Sequence, residues 1–136
     1  MKEPDKIEVS VDTEVNPTED IDKVRIAVYK VFGELSLEVV EGGNGKLLRG
    51  KAKGSEALSK FYDLLRRERI LDAARKILFR GIRENKIAFY LNKQAAYAGH
   101  ISFSQPMGES PLGPIHVEVQ CENPRALIDW LAPRTS

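Results

Sequence analysis

Four cations spaced along one stretch of chain carry the clearest chemistry in this sequence. At 100° per residue, Lys76, Arg80 and Arg83 lie at about −20°, +20° and −40° from Arg69 on a helical wheel, while Ile70, Leu71, Ala74, Ile77, Leu78 and Ile82 fill roughly the opposite half. An apolar half of that kind must be buried, so the four cations are expected on one solvent face. Lys51 and Lys53 on the preceding strand, with Lys60, Arg66 and Arg67 on the preceding helix, extend the pattern. Such a cluster suits phosphate groups, which attract cations whatever the base sequence. The alternative reading is a solvated face whose charges pair with Asp72, Glu84 or the acidic start of the chain. A second anion-binding candidate is the strand-to-helix junction at Asn92, Lys93 and Gln94, where free backbone N–H groups, the positive end of a helix dipole and the Lys93 charge would converge. Its simpler reading is a cap at Asn92 with Lys93 and Gln94 facing water. Tyr97, His100 and Phe103 nearby could stack on unpaired bases, although such aromatics more often belong to a core.

The charge distribution sharpens the first candidate. The chain has 136 residues, 30% of them charged, with 21 Lys and Arg against 20 Asp and Glu, a net charge of +1. Residues 46–93 hold fourteen basic and five acidic side chains, a balance of +9, flanked by balances of −6 over residues 1–45 and −2 over residues 94–136. An anionic partner is implied, and the acidic first third is its internal competitor.

Other chemistries find little material. A single Cys121 with His100 and His116 offers neither a disulfide nor a multi-cysteine zinc site, so no metal or cofactor is expected. Gly42, Gly43, Asn44 and Gly45 precede Lys46 without the Ser or Thr and the helix that a nucleotide-binding phosphate loop requires, and read as a hairpin turn. Ser110 with His100 and His116 lacks an assigned orienting acid or oxyanion hole, Asp12 and Glu14 are a generic pair, and Asp20 and Asp22 fit a helix first turn. No catalytic residue is assigned and the reading is non-enzymatic. The longest apolar run, Ile87 to Leu91, falls far short of a membrane span, and the first residues lack the apolar segment of a signal peptide, so a cytoplasmic protein is expected.

The elements that must position these residues follow from periodicity. Ile7, Val9, Val11, Thr13 and Val15 alternate with polar residues as a half-buried strand. Asn16, Pro17 and Glu19 read as N-cap, first helical residue and capping-box acid of a helix that runs to Phe32 and stops at Gly33. Strands over 35–40 and 46–53 form a hairpin. Ser55 caps a helical region over 55–84, broken or bent at the basic joint Arg66, Arg67 and Arg69. A strand at 87–91, a short helix over 93–98 closed by Gly99, a strand at 101–103, a Pro/Gly-rich loop at 104–114, a strand over 115–121 and a helix opened by Pro124 complete the order. The result is one α+β domain over 1–136, a single antiparallel or mixed sheet with helices mainly on one face. Its other face must meet solvent, a nucleic acid or a second copy of the chain.

The segments Val15-Asn-Pro-Thr-Glu-Asp20, Phe89-Tyr-Leu-Asn-Lys-Gln-Ala-Ala-Tyr-Ala-Gly99 and Ser110-Pro-Leu-Gly-Pro-Ile115, in this order, resemble a family of small uncharacterised archaeal proteins described as predicted RNA-binding. The likeness spans nearly the whole chain. It implies a fold like that of the large-subunit ribosomal protein that binds 5S ribosomal RNA, a homodimer, and no catalytic residues to carry over. The leading expectation is RNA binding through Arg69, Lys76, Arg80 and Arg83, with Lys51, Lys53, Lys60, Arg66, Arg67 and Lys93 contributing. The rivals are a homodimeric protein-interaction scaffold, whose basic segment docks on the acidic first third of its partner, and a binder of a small anion at Asn92 to Gln94.

Overall fold

Residues 6–33, 35–42, 45–104 and 113–135 are described by a computed structural model. The alternation at the start of the chain becomes β1 (Glu8–Val15), in which Val9, Val11, Thr13 and Val15 are buried. It runs down the middle of a six-stranded antiparallel sheet, flanked on one side by β3 (Gly45–Lys53) and then β2 (Ser36–Gly42). On the other side lie β6 (Ile115–Gln120), β5 (Lys86–Leu91) and the two-residue β4 (Ile82–Arg83). The antiparallel form of the expected sheet is therefore the one adopted.

Five helices, α1 (Ile21–Phe32), α2 (Ser59–Arg67), α3 (Leu71–Arg80), α4 (Lys93–Tyr97) and α5 (Pro124–Leu131), contribute to one buried cluster with the inward residues of β1, β5 and β6. Phe32, Phe61 and Phe89 form a stacked row through that cluster, with centroid separations of 5.7 and 5.4 Å, and Phe103 meets Phe89 edge-on at 5.9 Å. Burying a side chain of this size stabilises by about 2–3 kcal/mol. The outward residues, among them Ser10, Asp12, Tyr90, His116 and Glu118, form the open face of the sheet and remain partly exposed. Asp12 is bonded there by Arg49 at 2.9 Å.

Several local expectations are corrected. Helix α1 begins at Ile21 with Asp20 as its N-cap, because Asn16 to Glu19 first closes a turn of its own in which Glu19 Oε1 accepts from Asn16 N–H at 3.0 Å. The capping-box contact is present, but one turn ahead of the helix. Ser55 begins a short 3-10 turn (Ser55–Leu58) rather than capping α2, and residues 101–103 contribute an isolated bridge, Leu91 to Phe103, rather than a strand. Most of the 104–114 loop and part of the 42–45 turn lie outside the described residues.

Candidate nucleic-acid interface

The helical stretch read over 69–83 is shorter in the folded chain. Arg69 lies in the joint between α2 and α3 with φ of 57°, a left-handed conformation that a non-glycine residue adopts at roughly 1 kcal/mol or more. Helix α3 begins two residues later, at Leu71, and ends at Gly81. Arg83 is therefore not helical: Ile82 and Arg83 pair with Ile87 and Lys86 as a hairpin around Glu84 and Asn85, with Glu84 at φ 55°. Only Lys76 and Arg80 of the four-residue stripe share α3. Both are exposed, as are Arg69 and Arg83.

The wider set separates further. Lys51 and Lys53 are exposed on the open face of β3, three strands and about 14 Å from β5. Lys60 reaches the Tyr29 carbonyl at 3.4 Å, and Arg67 is exposed near the α2–α3 joint. Arg66 is a structural residue. Its guanidinium donates to the Leu131 carbonyl at 3.0 Å, the Trp130 carbonyl at 3.2 Å and the Tyr62 carbonyl at 3.1 Å, and lies 3.4 Å from the Tyr62 ring centroid. It closes the C-terminal end of α5, where carbonyls have no helical partner and cations are favoured. Arg66→Ala should therefore lower unfolding free energy by about 2 kcal/mol in urea titration, since bonds from a charged donor are worth about 1.5–3 kcal/mol; an unchanged midpoint would contradict this role.

The anion-binding reading at Asn92 to Gln94 is corrected as well. Asn92 does cap α4, accepting from Ala95 N–H at 2.9 Å. Lys93, however, is only 5% exposed, with its ammonium on the Glu14 carbonyl and 3.0 Å from Glu19 Oε1. Burial would raise the Glu19 carboxyl pKa, but hydrogen bonds from the Asn16 backbone, Lys93 and the Asn16 side chain hold it below its ordinary value of 4.5. Glu19 and Asp20 also line the hollow next to Lys93 and Gln94, so a phosphate would meet carboxylates there. The nearby aromatics are mostly engaged within the chain. Phe103 packs on Phe89, His100 Nδ1 lies 3.0 Å from Glu68 Oε1, and Tyr97 carries the Lys30 ammonium 5.1 Å above its ring.

A different group of cations comes together around α3. A groove of about 710 Å³ is lined by Asp72, Arg75, Lys76, Phe79, Arg80, Arg125 and Arg134. Arg75 is committed to Asp129 at 2.8 Å and the Ala132 carbonyl at 3.2 Å, and Asp72 accepts from the Thr135 hydroxyl at 2.8 Å. The guanidinium groups of Arg75 and Arg125 each lie over the Phe79 ring, 4.8 and 5.8 Å from its centroid. Lys76, Arg80, Arg125 and Arg134 have no ion-pair partner among the described residues. A second cleft of about 550 Å³, lined among others by Arg80, Arg83, Tyr90 and Phe103, shares Arg80 with the groove. Among the described residues, the acidic first third pairs with the basic segment only through Asp12–Arg49 and Glu19–Lys93. The cations are thus dispersed, but one run from Arg134 and Arg125 through Lys76 and Arg80 to Arg83 borders two depressions that share Arg80 in their lining.

A protein-family model described as RNA binding matches residues 8–121 of this sequence. The chain belongs to that RNA-binding family. It is 48% identical to a UPF0201 protein of Metallosphaera sedula over 94% of this chain and 89% of that protein. It is 43% identical to a UPF0201 protein of Thermococcus onnurineus over 94% of this chain and 93% of the relative. The crystal structure of a UPF0201 protein from Methanococcus jannaschii superposes with a TM-score of 0.84 at 38% identity, covering 95% of both chains. Among the described residues of this member of the RNA-binding family, no helix is long and apolar enough to cross a membrane. Arg125, Arg134 and Phe79 escaped the sequence reading because the two arginines belong to a segment of net negative charge and reach α3 only through the packing of α3 against α5.

Proposed function

We propose that this protein binds RNA by holding successive phosphates on the cationic run Arg134, Arg125, Lys76, Arg80 and Arg83, with Arg69 in the joint that precedes α3. The supporting observation is the pair of depressions that share Arg80, bordered by cations with no acidic partner among the described residues. Phosphate charge is repeated along a strand, so a run of cations gains from each contact, whereas isolated surface lysines gain little. Lys51, Lys53, Lys60 and Arg67 lie outside this run and would add only long-range attraction. The RNA-binding description of the family agrees with this reading.

A salt titration by filter binding tests it. With about five phosphate contacts to a single strand, log affinity should fall against log salt with a slope of about −3.5. The variant Lys76→Glu, Arg80→Glu, Arg125→Glu and Arg134→Glu should lose about 100-fold or more at 50 mM salt and most of the slope. The control Lys51→Glu with Lys53→Glu should change affinity only a few-fold. Absence of affinity for structured and unstructured RNA at low salt, or an unaltered affinity in the fourfold variant, overturns the proposal. A change in sedimentation of the same variant without any RNA affinity would instead identify the run as a contact between copies of the chain.

A further inference from the structure

We infer that the cleft at the outer edge of β5 receives an unpaired nucleotide, whose base stacks on Tyr90 while its phosphates lie on Arg80 and Arg83; this rests on the phosphate-binding run proposed above. The cleft exists because β4 is short. After Ile82 pairs with Ile87, Gly81 accepts one more bond from Ala88 N–H at 2.9 Å, and the sheet edge is next met at Tyr90, whose carbonyl accepts from Ser104 N–H at 2.9 Å. Between those two contacts the edge opens into the space of about 550 Å³. Tyr90 is half-buried on the open face of the sheet and lines this space.

Among the described residues, the Tyr90 ring meets a stacked partner on one side. His116, directly opposite on β6, stacks on Tyr90 with centroids 4.8 Å apart and planes inclined by 18°. Because β6 flanks β5 on the side away from the cleft, a base entering from the cleft and its arginines would approach Tyr90 from the side opposite His116. A ring already fixed by a stacked neighbour loses little freedom when a base is added, which favours binding. Every nucleobase presents such a face, but only an unpaired one can be inserted, since bases in an A-form helix are stacked and paired. The occupant that satisfies both the aromatic face and the two adjoining cations is therefore an unpaired segment of RNA.

Fluorescence anisotropy with a labelled mixed-sequence single-stranded RNA of ten nucleotides and a fully paired RNA duplex of equal charge separates the outcomes. Tyr90→Ala should weaken single-strand binding by about 5- to 100-fold, the range of a lost base–aromatic stack, and alter duplex binding less than twofold. Tyr90→Phe should retain wild-type affinity, and Tyr90→Thr, which suits a strand, should reproduce the alanine loss without a folding defect. The salt slope should be unchanged, since no cation is removed. Equal weakening for both RNAs, or none for either with Tyr90→Ala and Tyr90→Thr, overturns the stacking site while leaving the phosphate-binding run intact. Failure of the wild-type protein to bind either RNA removes both.

Discussion

Lys93→Met should lower the unfolding free energy by about 3 kcal/mol or more at pH 7, because it leaves the carboxylate of Glu19 buried without its cation. The Lys93 and Glu19 side chains are 6% and 10% exposed, and the ammonium also bonds the Glu14 carbonyl near the end of β1. One side chain thus joins the start of α4 to the end of β1 and to the Asn16–Glu19 turn before α1. The pH dependence distinguishes this cause from simple loss of packing. In the wild type Glu19 is held below 4.5, so its contribution is complete above that value and is lost as pH falls through the lower folded-state value. Removing Lys93 removes two of the influences that depress Glu19, so the variant protonates it at higher pH than the wild type does. The deficit between the two proteins should therefore narrow on acidification to 4.5 and below, and Glu19→Gln should recover part of it at pH 7. Urea titrations at pH 7 and pH 4 provide the measurement; a deficit that widens in acid would exclude the ion pair as its source.

Gly81→Ala should cost about 3 kcal/mol and lower the melting temperature by about 10 °C, an effect unusual for an addition of one methyl group. The backbone at Gly81 has φ −85° and ψ 0°, which alanine tolerates, so conformational freedom is not the issue. Space is. A Cβ at this position would lie 2.0 Å from the Ala88 carbonyl oxygen and 3.1 Å from its carbon. The obstacle is strand backbone rather than a flexible side-chain end, and the same glycine accepts from Ala88 N–H and donates to the Ile77 and Leu78 carbonyls that close α3. Relief requires α3 and β5 to separate, which would also deform the cleft between Arg80, Arg83 and Tyr90. A thermal melt followed by circular dichroism tests this, and a loss under 1 kcal/mol would show that the approach can relax cheaply.

How legible the molecule is in its sequence depends on whether a signal has one physical meaning. The alternation of β1 and β6 and the helix stop at Gly33 each admit one reading, and each appears in the structure. Ile82 does not: four residues after Leu78 it suits the apolar face of a helix, and beside Ile87 it suits an inward strand position, so Arg83 is assigned to a stripe that the hairpin removes. Asn16 and Glu19 make the contact that announces a helix, yet Asp20 is a second cap in series and determines where α1 starts. Lys93 reads as a surface cation because lysine is rarely buried, and its partner, 74 residues away, carries no local signal. The basic character of residues 46–93 is visible in composition, but that Arg66 bonds the end of α5 while Lys76 and Arg80 share a groove with Arg125 and Arg134 depends on how α5 packs on α3.

The central place of β1 also divides the assembly of the sheet into unequal steps. The β2–β3 hairpin closes over a turn of a few residues, while β1 must find β6 across most of the chain, as the bond from the Thr13 hydroxyl to the Pro114 carbonyl, 101 positions apart, illustrates. Loop-closure entropy makes that second step costlier by about 3 kcal/mol before any of its contacts contribute. The β5–β6 pair that carries Tyr90 and His116 joins residues 26 positions apart (116 − 90), so the proposed base platform draws its partners from the part of the sheet that closes without the most non-local pairing.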